Sequence, residues 1–170
     1  MTPEELRALQ QPLKDRYKED PGAAVVTLRA AGSIHDGISC SVETGQALVA
    51  AGLHPATGGS GQLACSGDML LQALVACAGV TLASVATAFG VTLRDANVRA
   101  EGDLDFRGTL GVSKETPVGF REIRLSFDLD TDAPADQVAK LVAVTERYCV
   151  VFQTLRNAPA LTVHHTVRPT

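Results

Sequence analysis

Four cysteines, Cys40, Cys65, Cys77 and Cys149, carry most of the chemistry this sequence can offer. Two of them sit in long apolar stretches. Cys77 lies near the middle of Ser66–Gly90, SGDMLLQALVACAGVTLASVATAFG, and Cys149 follows 72 residues later in a second apolar-periodic stretch. If both stretches are helices and the helices pack, the thiols can approach. A disulfide needs Cα atoms about 4.4–6.8 Å apart, and packed helices run about 8–10 Å axis to axis. The chemistry would then be reversible thiol oxidation. The plainer reading is two small buried hydrophobes, because free cysteine is among the most buried residue types. Cys65 lies in a Gly-rich loop, His54–Gly67, where exposure favours reactivity but packing beneath the next helix is the simpler role. Cys40 falls on a strand pattern and reads as core.

Other chemistries find little support. There is no CxxC, and His54, His164 and His165 are scattered. Adjacent histidines on a strand face opposite ways, so no metal-ligand set emerges and no cofactor is implied. The GGSG run at Gly58–Gly61 lacks the GK[ST] ending of a phosphate loop. No Ser/His/Asp set or paired carboxylates rise above chance.

The element that must position Cys77 is predicted as a helix over residues 67–90. No charge occurs from Met69 to Leu93. Ser66 is a candidate N-cap, Asp68 suits the positive end of the helix dipole, and Gly90 is a natural stop. A helix apolar on all sides is expected to be buried on all sides. The run is long enough to cross a bilayer. Against that stand its many alanines, its recurring Gln72, Thr81, Ser84 and Thr87, and the lack of Lys/Arg and Trp/Tyr anchors. A core helix is the expectation, with no membrane partner. A second helix over 134–156 carries Cys149, with Val138, Leu141, Val142, Val144 and Val151 apolar.

Around these helices the pattern is mostly strand. Ala24–Ala31, Ile38–Thr44, Val91–Phe106, Phe120–Asp132 and Ala160–Val167 read as strands, and Gly45–Gly52 is ambiguous between strand and helix. Ser33–Gly37 reads as a turn. Ile123, Leu125, Phe127 and Leu129 alternate with Glu122, Arg124, Ser126 and Asp128, giving one buried and one solvated face. Residues 1–20 form an amphipathic helix. Thr2 and Glu5 make a candidate capping box there, and Pro12 predicts a kink or break. Strands in hairpin-like groups, not alternating βα units, imply an α+β fold with antiparallel sheet.

The totals set bounds. At 170 residues the chain suits a single domain. A net charge of −4 gives no electrostatic case for nucleic acid or anionic membrane. The charged N-terminus has no apolar signal region, so a cytoplasmic location is expected, where four cysteines are free, catalytic or metal-binding before they are structural disulfides.

From about Ile38 to the C-terminus the chain resembles the OsmC/Ohr family of peroxide-reducing proteins. The resemblance rests on the Gly-rich loop, the helix GDMLLQALVACAG and the later ERYCVVFQTLRNAP. It implies an OsmC-like fold: antiparallel sheet wrapped around two central helices, completed as an intertwined homodimer. It also implies a thiol peroxidase that reduces organic hydroperoxides, with Cys77 peroxidatic, Cys149 resolving and a dithiol as reductant. Family members carry a Glu ten residues before the first cysteine, paired with an Arg. Here that position is Gly67, and Asp68 beside it is the candidate replacement. Arg29 and Arg156 are candidates for the Arg. The residue after the second cysteine is usually Pro, and here it is Val150. A thiol midway along an apolar helix with no cation nearby has a raised pKa and is inert. That favours an alternative, a non-catalytic OsmC-like protein binding a small apolar ligand in the dimer cleft. A structural or partner-binding domain, using residues 1–20, is a third reading.

Overall fold

The computed structural model describes residues 2–19, 31–35, 39–43, 48–111 and 113–168. Helix α1 spans Pro3–Glu19. Its start is fixed by the predicted capping box: Thr2 N–H donates to Glu5 Oε2 at 2.8 Å, and Glu5 N–H donates to Thr2 Oγ1 at 3.2 Å. The expected break at Pro12 does not occur; the backbone stays helical throughout. A proline keeps a helical φ and removes only one N–H, so a helix can absorb it at a cost.

Strands β1 (Ala31–His35), β2 (Ser39–Glu43) and β3 (Leu48–Gly52) pair antiparallel in sequence order. The strand expected at Ala24–Ala31 lies outside the described residues except for Ala31. The turn expected at Ser33–Gly37 is strand as far as His35. Of the ambiguous Gly45–Gly52 segment, the described residues, Leu48–Gly52, are strand β3. A short β4 (Ala64–Cys65) then pairs parallel with β3 and runs directly into helix α2, Ser66–Phe89. The N-cap of α2 is Cys65, not Ser66, and no side chain caps it. Gly90 ends it as expected, with φ 66° and its N–H shared between the Ala86 and Thr87 carbonyls. That left-handed position is open to glycine at no steric cost.

Strands β5 (Asp95–Leu104) and β6 (Phe120–Asp130) form a separate antiparallel pair, with the short helix α3 (Phe106–Thr109) between them. Val98, Ala100, Gly102 and Leu104 of β5 and Ile123, Leu125, Phe127 and Leu129 of β6 take the more buried face. Near the end of the ladder the register slips: Asp103 opposes Glu122 and Leu104 opposes Phe120, leaving Arg121 extra. A Cβ on Gly102 would lie 2.6 Å from the Phe120 ring, so glycine is what lets that ring close over β5.

The core is the contact of α2 with this pair and with the last helices. Leu74, Ala78, Leu82, Val85 and Ala86 recur along one face of α2 and are buried. They meet Leu141, Val98, Phe127 and Leu129 at one end of the helix, and Ile123, Leu125 and Phe152 nearer its middle. The opposite side is only partly covered, by α1, and Val80 is 74% exposed. The prediction that α2 is buried on all sides is therefore corrected. Its length and hydropathy alone would let it cross a membrane, yet one face is packed on sheet and helix within this domain.

The helix expected over 134–156 is two helices, α4 (Ala135–Tyr148) and α5 (Val150–Arg156). The break is Cys149, whose backbone is extended at φ −71° and ψ 108°. Cys149 N–H still donates to Thr145 O at 2.9 Å, so α4 closes properly. Across the break Gln153 Nε2 donates to Glu146 O at 2.8 Å, satisfying a carbonyl that a continuous helix would have used. The strand expected at Ala160–Val167 is absent. Leu161 and Val163 are 87% and 90% exposed, and no neighbouring strand among the described residues takes up the backbone there. Alternating apolar residues suit a strand only when a partner supplies the ladder.

Candidate active site

The buried face of α2 brings Cys77 to the break between α4 and α5. Ala78, fully buried, is the close-contact position, and its small side chain lets the last helices approach. Cys149 is 0% exposed and packs with Leu74 and Ala78. Cys77, half-buried, joins the same cluster with Val151 and Phe152. The two thiols, 72 residues apart in sequence, lie close enough to shift each other's ionisation, and both are free.

The break decides the electrostatics. Burial pushes the Cys77 thiol up, but donors outweigh it and the net pKa is below the ordinary thiol value. The Val151 N–H, the Cys149 thiol, the Val150 N–H and the Thr81 hydroxyl all favour the thiolate. These amides belong to the first turn of α5, where no carbonyl within the helix can take them. The Thr81 proton points to the Cys77 carbonyl at 2.7 Å in this structure; turned to the sulfur it is a further donor. The expectation of a raised pKa at Cys77 is thus corrected. No cation is needed when backbone donors meet the anion. Cys149 goes the other way. Burial raises its pKa, the N–H groups of Phe152 and Val151 pull against that, and donation to Cys77 and the Cys77 charge reinforce it. The pair therefore separates into one thiol that ionises early and one that stays protonated.

Asp68 is not brought to this pair. It sits nine residues before Cys77 on α2, about 13 Å along the axis and on the opposite side of the helix. It lines a different cavity of about 320 Å³, shared with His54, Cys65, Gly67 and Asp103. His54 Nδ1 accepts from Ala56 N–H at 3.0 Å, and its ring stacks on Phe106 at 5.0 Å. Arg156 lines a third cavity, about 300 Å³, whose floor is Leu74, Ile123 and Phe152 and whose rim adds Arg121 and Glu122. Arg156 is not among the groups that shift Cys77. Arg29 and the side chain of Cys40 lie outside what is described. His164 and His165 are exposed in the C-terminal segment. Among the described residues no cluster of three His, Cys, Asp or Glu could hold a metal.

Sequence reasoning missed the amides of Val150 and Val151. A backbone donor leaves no residue-type signal. Thr81 was legible in principle, since a hydroxyl at i+4 from Cys77 shares its helix face.

The geometry has a family counterpart. Residues 59–164 match the OsmC-like protein family. The chain belongs to that family. No curated protein matches it at a significant level. An OsmC-like protein from Mycoplasma pneumoniae has the same fold, with a TM-score of 0.66 at 17% identity over 78% of this chain and 89% of that one. An organic hydroperoxide resistance protein from Elizabethkingia anophelis aligns at TM-score 0.64 and 14% identity, covering 79% of this chain and 91% of that one. A Legionella pneumophila organic hydroperoxide resistance protein aligns at 0.61 and 18%, covering 78% and 91%. The OsmC-like fold, mixed in helix and strand, is therefore shown. α1 lies outside the segment that matches the family.

Proposed function

We propose that this OsmC-like protein is a thiol peroxidase reducing organic hydroperoxides through Cys77 and Cys149. One observation carries the reading: a thiol with a lowered pKa touches a protonated, buried thiol at a helix break that feeds it backbone N–H groups. The Cys77 thiolate attacks the distal peroxide oxygen and the O–O bond breaks. Sulfur is oxidised to sulfenic acid, and the departing alkoxide takes a proton and leaves as alcohol. Cys149 is the acid in contact with the reacting sulfur. Its sulfur then attacks the sulfenic sulfur, the S–O bond breaks and water leaves, giving a disulfide. A dithiol reductant restores the pair by exchange and keeps the disulfide itself. The aliphatic surroundings favour an organic peroxide over hydrogen peroxide, since each buried CH₂ adds about 0.8 kcal/mol. The residues carrying the reaction are Cys77 and Cys149. Asp68 is left without a part in it.

The working form is a homodimer in the cytoplasm. Val80 of α2, Val150, and Leu161, Val163 and Val167 of the C-terminal segment present more bare hydrocarbon than a lone domain usually shows. Light scattering should give twice the monomer mass.

The deciding experiment is mass mapping after one equivalent of cumene hydroperoxide. The expected product is a Cys77–Cys149 disulfide, with one alcohol released per disulfide and turnover once a dithiol is added. Protein that stays fully reduced while the peroxide persists would exclude the reading.

A further inference from the structure

Nothing in the composition of residues 135–156 forces α4 and α5 apart. The run from Ala135 to Arg156 holds no proline and no glycine, the residues at which helices usually kink. Another cause of a sharp kink is a side chain that enters the ladder of main-chain hydrogen bonds. Gln153 is such a side chain. α4 closes with the Cys149 N–H on Thr145 O. In an unbroken helix the next carbonyl, Glu146 O, would take the Val150 N–H. It takes the Gln153 side-chain amide instead, at 2.8 Å, and the Val150 N–H is left for the Cys77 sulfur. The amide is held at its other end too, where Asn157 Nδ2 donates to Gln153 Oε1 at 3.3 Å. Its orientation follows from chemistry, because a carbonyl only accepts and so must face Nε2. The contact with Glu146 is partly buried, whereas Arg147 and Tyr148, whose carbonyls come next, are exposed residues with water at hand.

We propose that Gln153 is a positioning residue: by occupying the Glu146 carbonyl, its side chain keeps the helix broken at Cys149 and leaves the Val150 and Val151 N–H groups turned to Cys77. Two arrangements compete for the same donors. In the broken one, Gln153 serves Glu146 O and the two amides serve the sulfur. In the unbroken one, Glu146 O and Arg147 O reclaim the amides and Cys77 loses both. Without the Gln153 amide the broken form leaves a partly buried carbonyl unpaired, which disfavours it by roughly five- to 150-fold. Gln153 thus acts on the thiol through the backbone. The proposal rests on the thiol site read above as a peroxidase, and it does not depend on turnover.

The test reads thiol ionisation in the full chain, as the pH profile of Cys77 alkylation by iodoacetamide followed by peptide mass. Of the groups that shift Cys77 only Cys149 titrates, and the cluster around the pair is otherwise apolar, with Val98 and Ala100 from β5, Ile123 and Phe127 from β6 and Phe152 from α5. Gln153→Met, similar in length but without a donor, should raise the midpoint, with about fivefold less thiolate or lower still on the rising limb. Gln153→Lys keeps a donor for Glu146 O and should hold the midpoint at or below that of wild type. Val150→Pro supplies a second background. Proline lacks the N–H that Glu146 O would reclaim, and its ring blocks that carbonyl, so the helix stays broken with or without Gln153. Val150→Pro/Gln153→Met should therefore lie within about twofold of Val150→Pro alone, where independent effects would lower the thiolate about a further fivefold. The Cα carbon shift of reduced Cys149, extended in wild type and in the double variant, should turn helical in Gln153→Met. A smaller midpoint change in Gln153→Met, a raised midpoint in Gln153→Lys, a Cys149 shift that stays extended in Gln153→Met, or multiplying effects in the double variant each overturn the proposal. A protein that consumes no peroxide yet shows these shifts keeps it and discards only the peroxidase reading.

Discussion

Helix α2 carries a thiol at each of two places, and they meet different surroundings. Cys65 caps its start, and Cys77 lies twelve residues on, about 18 Å along the axis. Both are half-buried, so exposure does not separate them. Cys65 lines a cavity with His54, Asp68 and Asp103, and that cavity holds no second thiol. Cys77 faces the break between α4 and α5, with another sulfur and two free amides beside it. A reactive thiol here is made by an interruption in a neighbouring helix. A continuous α4–α5 helix would bury the Val150 and Val151 N–H groups in its own ladder, and Cys77 would meet only apolar surface.

The hardest blow to this contrast is at the sulfurs themselves. Cys77→Ser should lower peroxide consumption to the rate of buffer, a loss of at least a thousandfold, while Cys65→Ser should stay within about twofold of wild type. Similar losses in both variants would erase the distinction between the two thiols. The second effect is on the frame. Leu141 is fully buried where α4 meets α2, and Leu141→Ala should cost about 2–5 kcal/mol in urea unfolding. Because Leu141 packs in the cluster away from Cys77, the alkylation profile of Cys77 should survive this change. A profile that shifts with Leu141→Ala would mean the thiol is tuned by general packing and not by the break.

Much of the frame was legible. The β6 alternation from Ile123 to Leu129, the Thr2–Glu5 capping box and the Gly90 stop each rest on a local rule with one physical outcome. What could not be read depended on partners far along the chain. The alternating segment Ala160–Val167 has strand chemistry without a ladder to join among the described residues. The apolar periodicity of residues 135–156 continues straight through Cys149, so pattern alone gave one helix where the backbone makes two. The candidate site was half legible for the same reason. Cysteines and their helices can be seen in residue types, but an amide donor belongs to the backbone and has no letter. Asp68 neighbours the family position in sequence, but a helix turns a shift of one residue into another face.

A finer cut removes one donor and leaves both thiols. Val150 is the first residue of α5, where proline fits because its missing N–H and fixed φ suit the first helical position. Val150→Pro should therefore fold while deleting one donor to Cys77. For an acid with a lowered pKa the thiolate is favoured in the folded state, so iodoacetamide reactivity climbs with pH around a midpoint below the ordinary thiol value. In Val150→Pro the midpoint should move up, with about three- to tenfold less thiolate on the rising limb. The same linkage gives the native state stability that is complete above the unfolded thiol pKa and fades as pH falls through the folded one. Cys149, whose pKa is raised, contributes in the opposite sense: stability present below its unfolded pKa and lost as pH rises through its folded one. The two terms therefore overlap in the alkaline range, and Cys149 should alkylate only after Cys77. A midpoint unchanged by the proline would show that the Val150 amide does not reach the sulfur.

The smallest effect expected is at Thr81. Its hydroxyl holds the Cys77 carbonyl at 2.7 Å and stands near the sulfur, so its proton is divided between two acceptors. Thr81→Val keeps the shape and removes the proton. The Cys77 midpoint should rise by less than in Val150→Pro, equivalent to about two- to threefold less thiolate, because two amides and the Cys149 thiol remain. Thr81→Ser restores the hydroxyl and should return the midpoint to wild type. That rescue separates a donor from a mere filler of space, since serine loses a methyl group and valine does not. If valine and serine shift the profile alike, Thr81 acts by packing alone, and the activation of Cys77 rests on the broken helix and its partner thiol.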